Sequence, residues 1–433
     1  MKVVVAHNRY REAVPSGENV VVDTEIAQLG AAGVEVLPFQ RSSDSIGELP
    51  PVQKALLPLS PIFGRAAQQD LSKLLAAERP DLLHLHNPYP LLSPWVIRTA
   101  HAHGVPVVQT VHNYRQVCSS GLYFRDGHNC QDCRGKLVGW PAVQHRCYRG
   151  SAAQSALMAT TLAVHRPTWR SVDRFIALTD QIAAHLRDYG IPGERIVVKP
   201  NALPDPGEPA PIGDGFLYGA RLSPEKGLGL LLDAWRRHPD GSLGPLRIAG
   251  DGELRPLAEQ AAAEREDVTY LGVLDRERMS DERRRSAVVL ATSTWNDVLP
   301  TVILEAMAYG RAVLATAVGG IPYLVGDEAG WTVAPDAAAR ARSTAARSRP
   351  PRYVTSERSA AAFSASGRRS PSPAIRSGPS DPSGCRRQAS SSSARPFSGE
   401  SRAAYRKPSP SGSGSPGSGR PLGLIVIRSS AIP

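Results

Sequence analysis

The sequence has no run of about 18 consecutive apolar residues, the length at which a transmembrane helix becomes a reasonable expectation. Its apolar N-terminus, residues 1–6, gives way at once to His7, Asn8 and Arg9, which is too early for the apolar segment of a signal peptide. From these two absences we expect a cytoplasmic chain.

Cysteine is scarce, with 5 residues among 433, and an odd number does not suggest a disulfide framework. Four of them, Cys118, Cys130, Cys133 and Cys147, nevertheless fall within one stretch. The Cys130 and Cys133 pair has the spacing of zinc ligands, and four thiolates can close a structural zinc site. The flanking intervals are longer than in a compact zinc ribbon, so reduced, partly buried cysteines are the alternative.

The first 335 residues also lack excess positive charge, although the whole chain carries a net charge of +11 at pH 7. Residues 336–433 contain 17 Lys and Arg against 4 Asp and Glu, and the remaining residues contain 34 against 36. The basic charge therefore gives no support for a folded region that binds nucleic acid or an anionic membrane. Polyanion binding by the basic tail is a weaker alternative, because no folded reader accompanies it. We expect no specific nucleic-acid partner.

Short β-branched runs alternate with helical stretches over residues 1–200, which is typical of a parallel sheet with helical crossovers. A linker rich in Pro, Gly and acidic residues, 201–214, precedes a second doubly wound series over residues 215–335. We therefore predict an α/β chain of two Rossmann-like domains. The first domain carries the cysteine-containing insert, near residues 113–170.

After residue 335 no helical or strand period persists, and Ser, Arg and Pro supply 52 of the last 98 residues. Such a segment cannot offset its ordering entropy by burial, so we predict a disordered tail over residues 336–433. The alternative is an out-of-frame continuation, because the second domain stops before its expected end and shifted GC-rich codons encode this composition.

The strongest motif, residues 219–227, follows a predicted strand and precedes a predicted helix. Arg221 and Lys226 lie five residues apart around a tight turn and can converge on one anion. Gly227 lets the backbone approach a ligand, and the N-terminus of the following helix adds its dipole. The alternative is a solvated loop with incidental charges.

A second motif, residues 297–310, begins in a loop at the carboxyl end of a predicted strand, where open α/β sheets bind ligands. Asp297 lies in this loop and Glu305 on the first turns of the helix that follows. Carboxylates at these places suit the hydroxyls of a sugar or ribose, and free N–H groups near Pro300 and Thr301 suit a phosphate. Taken alone, Asp297 could equally be a helix cap.

With residues 110–113, 250–253 and 318–322, these motifs make residues 1–335 resemble the retaining GT-B glycosyltransferases of family 4, which include bacterial enzymes that build polysaccharides and glycolipids. The resemblance implies two Rossmann-like domains that face each other across a cleft. It implies a nucleotide-diphosphate sugar, UDP- or GDP-linked, on the second domain and a glycan, lipid-linked or small-molecule acceptor on the first. It also implies transfer with retention of configuration and without a catalytic metal.

The resemblance also implies roles for individual residues. Arg221 and Lys226 would hold the diphosphate and stabilise it as it leaves. Glu305 would bind ribose hydroxyls, and His112 would contact the donor from the first domain. Asp297 would lie near the donor sugar, where the family usually has Glu. The predicted catalytic residues are thus His112, Arg221, Lys226 and Asp297, and the predicted donor-binding residues are Gly17, Gly219, Arg221, Lys226, Gly250, Leu299, Pro300, Thr301 and Glu305.

Residues 15–18 stand where the family has a glycine-rich loop, with Ser16 where a second Gly is common and with Gly17 available for close approach to a ligand. The mostly small and apolar segment 151–164 predicts a helix that packs on the first domain. Its alternative is an interfacial helix that meets a lipid-linked acceptor at the inner face of the membrane.

The composition of the tail supports a second hypothesis about function. Family members complete the second domain with sequence that lies where this chain becomes rich in Ser, Arg and Pro. The chain would then be an inactive or partner-binding relic of such an enzyme, with exposed sheet edge and apolar surface.

Overall fold

The computed structural model describes residues 1–12, 16–204, 206–207 and 211–335. All of them belong to one compact unit, Met1–Ser366, and a second unit, Gly367–Pro433, lies outside the described residues. Both hypotheses for residues 336–433, the disordered tail and the out-of-frame continuation, also fall outside the described residues.

The first domain is a parallel sheet with helical crossovers, because buried β-branched runs alternate with helices along its sequence. Within the described residues, six strands form this sheet in the order β2-β1-β3-β4-β7-β8, and β5 and β6 form a separate antiparallel hairpin. The elements, in chain order, are β1 (Lys2–Arg9), α1 (Gly17–Ala31), β2 (Glu35–Ser42), α2 (Pro51–Leu56), α3 (Arg65–Glu78), β3 (Leu82–Leu85), α4 (Trp95–Ala102), β4 (Val107–Val111), β5 (Phe124–Arg125), β6 (His128–Asn129), α5 (Trp140–Gln144), α6 (Ala152–Val164), α7 (Arg166–Arg170), β7 (Arg174–Ala177), α8 (Asp180–Tyr189) and β8 (Ile196–Val198).

The second domain repeats this architecture. Its described strands form a second parallel sheet of six, in the order β11-β10-β9-β12-β13-β14. The elements are β9 (Phe216–Gly219), α9 (Leu228–Trp235), β10 (Leu246–Ala249), α10 (Arg255–Glu264), β11 (Val268–Gly272), α11 (Arg276–Arg285), β12 (Val288–Ala291), α12 (Thr301–Ala308), β13 (Ala312–Thr316), α13 (Ile321–Val325) and β14 (Gly330–Val333).

Each sheet has a point where the strand order reverses, between β1 and β3 in the first domain and between β9 and β12 in the second. Open α/β sheets bind ligands in the crevice at the carboxyl ends of such strands. His7 lies near the end of β1, and the motif that contains Arg221 follows β9 directly. The topology therefore brings the candidate residues of both domains to the carboxyl edges of their sheets.

The predicted α/β class with two Rossmann-like domains is confirmed. The sequence pattern did not predict α11, because this helix is strongly polar and Arg283 is its only buried residue. Its signals were the capping residue Asp275, whose carboxylate accepts from the Arg278 N–H at 2.8 Å, and the basic last turn.

One apolar cluster runs through both domains. It contains Phe175 and Ile182 of the first domain as well as Ile303 and Ile321 of the second. The two domains therefore pack directly against each other.

Candidate functional site

A cavity of about 820 Å³ lies between the carboxyl edges of the two sheets. The first domain contributes the start of α1 and the residues after β4, and the second contributes the loops after β9 and β12 with the start of α12. The cavity walls include every predicted catalytic or donor-binding residue: Gly17, His112, Gly219, Arg221, Lys226, Gly250, Asp297, Leu299, Pro300, Thr301 and Glu305.

Lys226 and Asp297 form an ion pair on the second-domain side of the cavity. The Lys226 ammonium donates to Asp297 Oδ2 at 2.6 Å, and the Ser293 hydroxyl donates to the same oxygen at 3.2 Å. The ammonium also lies 5.4 Å from the centre of the Trp295 ring, within cation–π range. Asp297 therefore positions Lys226, and it does not cap α12, because Pro300 occupies the cap position.

Arg221 is oriented by its own turn. Its Nη2 donates to Glu225 Oε1 at 2.8 Å and its Nε to Ser223 Oγ at 3.3 Å, while the Ser223 hydroxyl donates to Glu225 Oε1 at 2.7 Å. About half of the Arg221 side chain, 48%, remains exposed, on the cavity side of the turn. The guanidinium is thus held in place and still has N–H groups available for an anion.

A glycine motif packs closely against each of these two loops. Gly319 has φ of 56°, and a Cβ atom there would lie 2.2 Å from the Asp297 carbonyl oxygen. The next N–H, from Gly320, donates to that carbonyl at 2.7 Å. A Cβ on Gly250 would lie 1.9 Å from the carbonyl oxygen of Ala220, next to Arg221. Only glycine lets the chain pass this closely, so both motifs position the charged residues.

The start of α12 faces the cavity through Leu299, Pro300 and Thr301. No described side chain caps this helix N-terminus, whose N–H groups and dipole favour an anion. Gly17, from the first domain, lies opposite, because a Cβ there would be 2.6 Å from Thr301 Oγ1. The two domains therefore meet at this helix end.

The predicted glycine-rich loop differs from the structure in one respect. Gly17 is the first residue of α1, and Ser16 is its cap, with the Ser16 hydroxyl accepting from the Asn19 N–H at 3.4 Å. A serine therefore stands at this position because it caps a helix, which a second glycine would do less well.

Glu305 pairs with Arg283, a residue that the sequence reading missed together with α11. Arg283 Nη2 donates to Glu305 Oε2, and both side chains line the cavity. Burial raises the pKa of Glu305, and the charge of Arg283 opposes that shift. The pair leaves Glu305 Oε1 available to accept from a ligand hydroxyl.

His112 belongs to a group of buried histidines on the first-domain side. Its Nε2 lies 2.9 Å from Nδ1 of His86, and the two rings are stacked. Burial lowers the pKa of His112 to about 3 and that of His7 to about 4, and it holds the pKa of His86 well below its usual range. These imidazoles are therefore neutral near pH 7.

Glu25 approaches two of these histidines. Its carboxylate oxygens lie 3.5 Å from His84 Nδ1 and 3.7 Å from His86 Nε2. Among the described residues, these three side chains are the one group of His, Cys, Asp or Glu whose ligand atoms all lie within 4.8 Å of one another. The sequence reading missed this group, although the alternation of His84 and His86 at the end of β3 was a visible signal.

Glu18 is another cavity residue that the sequence reading did not single out. The Tyr10 hydroxyl donates to Glu18 Oε2 at 3.4 Å, and burial raises the pKa of Glu18 to about 7, against the effect of Arg115. Near neutral pH this carboxyl is therefore partly protonated and can donate as well as accept a hydrogen bond.

Two family models match the chain in succession. Residues 4–202 match the family described as "Glycosyl transferase 4-like domain", and residues 213–347 match "Glycosyl transferases group 1". Together the matches cover well over half of the sequence. The chain belongs to the glycosyltransferases that combine these two domains.

Relatives with curated descriptions agree with this assignment. The chain is 29% identical over 259 residues to a phosphatidyl-myo-inositol mannosyltransferase of Mycobacterium tuberculosis, and the match covers 59% of each of the two chains. It is 30% identical over 199 residues to WcaL of Escherichia coli, a putative colanic acid biosynthesis glycosyltransferase, covering 41% of this chain and 47% of that one. The matches thus span less than two thirds of either relative.

Solved structures share the fold. Sucrose-phosphate synthase from Thermosynechococcus elongatus has a TM-score of 0.56 at 20% identity, covering 80% of this chain and 89% of that one. HepE of Anabaena, solved with UDP and glucose, has a TM-score of 0.51 at 18% identity, covering 79% and 88%. At these identities the likeness shows the fold alone, the two Rossmann-like domains of GT-B enzymes.

The four clustered cysteines line one small cavity in the first-domain insert, together with Arg125 and His145. Cys118, Cys130, Cys133 and Cys147 are all free thiols. The four residues of the predicted zinc site thus surround one cavity. In the described part of the chain, however, no three of their sulfur atoms lie within 4.8 Å of one another.

The helix expected near residues 151–164 is α6. It buries Met158, Ala159 and Leu162 and packs against its neighbours α5 and α7. The apolar face of α6 is thus covered by the first domain. Over the described residues, no helix is both long and apolar enough to cross a bilayer.

Proposed function

We propose that this glycosyltransferase moves a sugar from a nucleotide-diphosphate donor to a hydroxyl of a glycan or lipid-linked acceptor, with retention of configuration. The observation that carries the proposal is the convergence of Arg221, Lys226 and the start of α12 on one cavity. Two fixed cations and a helix N-terminus around one space favour a ligand with two adjacent phosphates.

The diphosphate lies between Arg221 and Lys226 in this proposal. Asp297 accepts one hydrogen bond from Lys226, and the ammonium has two further N–H groups for phosphate oxygens. When the bond between the anomeric carbon and the β-phosphate oxygen breaks, negative charge grows on the diphosphate. Cations that are already held in place stabilise this charge without reorganisation, which lowers the barrier.

The nucleoside lies toward α11 and α12. Glu305, held by Arg283, accepts hydrogen bonds from the ribose hydroxyls through its remaining oxygen. UDP and GDP both carry this ribose, so the arrangement supports a nucleotide donor and leaves its base to the local pocket.

The sugar and the acceptor lie toward the first domain. His112 is neutral, so it contacts the donor sugar as a hydrogen-bonding group without adding charge. The acceptor oxygen attacks the anomeric carbon on the face that the phosphate leaves, and its proton passes to the departing phosphate oxygen. The names of the two curated relatives, one acting on phosphatidyl-myo-inositol and one in colanic acid biosynthesis, support a lipid-linked or glycan acceptor.

Thermal unfolding of the full chain with UDP, GDP, ADP and their sugars tests the donor site. A ligand at a hundredfold over its Kd stabilises the folded state by about 2.7 kcal/mol. One nucleotide class should raise the midpoint for the wild type and for Arg255→Ala, an exposed arginine on α10, but not for Arg221→Ala.

A midpoint that no nucleotide raises would favour the inactive relic over the transferase. Retention is tested separately, by the anomeric proton coupling of the transferred sugar in product and donor. A product with inverted configuration would contradict the retaining mechanism and leave the donor site intact.

A further inference from the structure

The insert between β4 and α6 has little core of its own. Its two strands, β5 and β6, are two residues long each, and three large apolar side chains after Cys133 are well exposed. These are Leu137, Val138 and Trp140, with exposed fractions of 69%, 44% and 60%. Small segments with so little burial usually need a covalent or metal crosslink to hold one conformation.

Hydrogen bonds fix the backbone at each of the four cysteines of this insert. The N–H of Cys118 donates to Tyr114 O at 2.9 Å, that of Cys130 to Tyr123 O at 2.7 Å and that of Cys147 to Ala142 O at 2.9 Å. Cys133 lies in a tight turn, in which the Arg134 N–H donates to Gln131 O at 2.8 Å. Each thiol is therefore carried on a defined turn.

All four side chains face one cavity of about 20 Å³, which has room for a single water-sized sphere. We propose that Cys118, Cys130, Cys133 and Cys147 bind one structural zinc ion there as thiolates. Zinc prefers four ligands in a tetrahedron, and a closed set of four cysteines is one of its usual structural sites. Zinc binding requires the sulfur atoms to move closer together, because no three of them lie within 4.8 Å of one another in the described part of the chain.

Arg125 supplies part of the charge that such a site needs. Its Nε donates to Cys130 Sγ at 3.4 Å, and its Nη2 donates to Asp132 at 2.9 Å. Four thiolates around Zn²⁺ carry a net charge of −2, so a guanidinium in contact with one sulfur is favourable. The same arginine thus orients a ligand and offsets charge.

The site would fix a segment that reaches the second domain. Asn129, at the end of β6 and next to Cys130, accepts from the Asn296 N–H at 3.1 Å through its Oδ1. Asn296 precedes Asp297, the partner of Lys226. Zinc would therefore hold the hairpin against the loop that carries the ion pair.

The described residues offer one rival metal site, the group of Glu25, His84 and His86. The two sites differ in ligand atoms, because a cysteine site gives zinc–sulfur distances of about 2.3 Å and a histidine and carboxylate site gives distances of about 2.0–2.1 Å. X-ray absorption at the zinc edge separates them on the wild-type chain, without any variant that could fail to fold.

The first measurement is therefore zinc content and zinc-edge absorption of the full chain, purified without chelators and without a metal column. We expect one zinc per chain with a shell of four sulfur atoms. Metal well below one per chain would overturn the proposal. A shell of nitrogen and oxygen atoms would also overturn it, in favour of the histidine group.

Variants give the second measurement. Cys133→Ser and Cys147→Ser should lose most of the zinc, and Glu25→Gln should retain it. The matched control is Cys385→Ser, the fifth cysteine, which lies outside the described residues and should retain the full zinc content. Zinc that persists in both Cys133→Ser and Cys147→Ser would contradict the proposal.

Discussion

On the second-domain side of the cleft the candidate groups are charged and paired, Lys226 with Asp297 and Glu305 with Arg283, whereas on the first-domain side they are imidazoles that burial keeps neutral. We call these the charged wall (Arg221, Lys226, Arg283, Asp297 and Glu305) and the histidine wall (His112, which lines the cavity, together with the buried His7, His84 and His86 of the same group). The contrast fits the two parts of the proposed reaction. Fixed charges would stabilise the leaving diphosphate, and neutral hydrogen-bonding groups would contact the hydroxyls of the sugar and the acceptor.

The largest expected effect comes from the charged wall. Lys226→Ala removes a cation from the leaving diphosphate and leaves Asp297 buried without its ion pair, with 6% of that residue exposed. Loss of one such electrostatic contact lowers kcat by about 10²- to 10³-fold. Steady-state transfer kinetics measure it, with Arg255→Ala as the control that keeps wild-type rates. Rates for Lys226→Ala within about twofold of wild type would remove the charged wall from the mechanism.

The histidine wall should respond differently. In its proposed role, His112→Ala removes a hydrogen bond to the donor sugar, at a cost of about 1–3 kcal/mol, or roughly a 5- to 150-fold loss in kcat. Nucleotide affinity should stay near wild type, because the diphosphate is held by the other wall. Isothermal titration with the nucleotide and kinetics with the complete donor separate the two quantities. Equal losses in kcat and in nucleotide affinity would show that His112 also contributes to binding the nucleotide.

The two walls also differ in how readily the sequence predicted them. Arg221 and Lys226 lie within one motif, residues 219–227, and Asp297 and Glu305 lie within a second motif, residues 297–310. A strand followed by a tight turn and a helix keeps the neighbours within each motif together in space, so the sequence predicted each pair. The contact between the two motifs, Lys226 with Asp297, comes from the pairing of β9 with β12 in the sheet. The alternation of strands and helices predicted the two Rossmann-like domains for the same reason.

The histidine wall is assembled from distant parts of the chain. His7, His84 and His112 lie at the ends of three neighbouring parallel strands, and Glu25 comes from the helix that covers them. Only the order of the strands in the sheet brings these side chains together, and no local sequence pattern predicts strand order. Arg283 was missed for another reason, because α11 lacks the apolar periodicity by which helices are recognised.

The third prediction concerns Glu18, a carboxyl beside the histidine wall. Burial raises its pKa from 4.5 to about 7, so the folded chain keeps a proton that the unfolded chain loses above pH 4.5. Stability should therefore fall as pH rises from 4.5 to 7, by at most about 1.4 kcal/mol per pH unit. Glu18→Gln cannot titrate and should lack this decline.

Urea unfolding of both chains at several pH values measures that difference. The free energy of unfolding of the wild type, relative to Glu18→Gln, should decrease across the window and become constant above it. Parallel pH dependences for the two chains would show that Glu18 ionises normally in the folded state. The cavity would then carry a negative charge next to the neutral imidazoles.

The smallest effect should come from the contact that joins the insert to the charged wall. Asn129→Ala removes one hydrogen bond to the Asn296 N–H, next to Asp297, worth about 0.5–1.5 kcal/mol or roughly a two- to twelvefold loss in kcat. Asn129→Asp keeps an oxygen acceptor at the same place and should restore most of the rate. Without this hydrogen bond the Asp297 loop should shift relative to the donor sugar. We therefore expect Asn129→Ala to lower kcat and to leave the affinity for the nucleotide unchanged. Equal rates for Asn129→Ala and wild type would mean that the insert covers the charged wall without positioning it, and the division between the walls would then be complete.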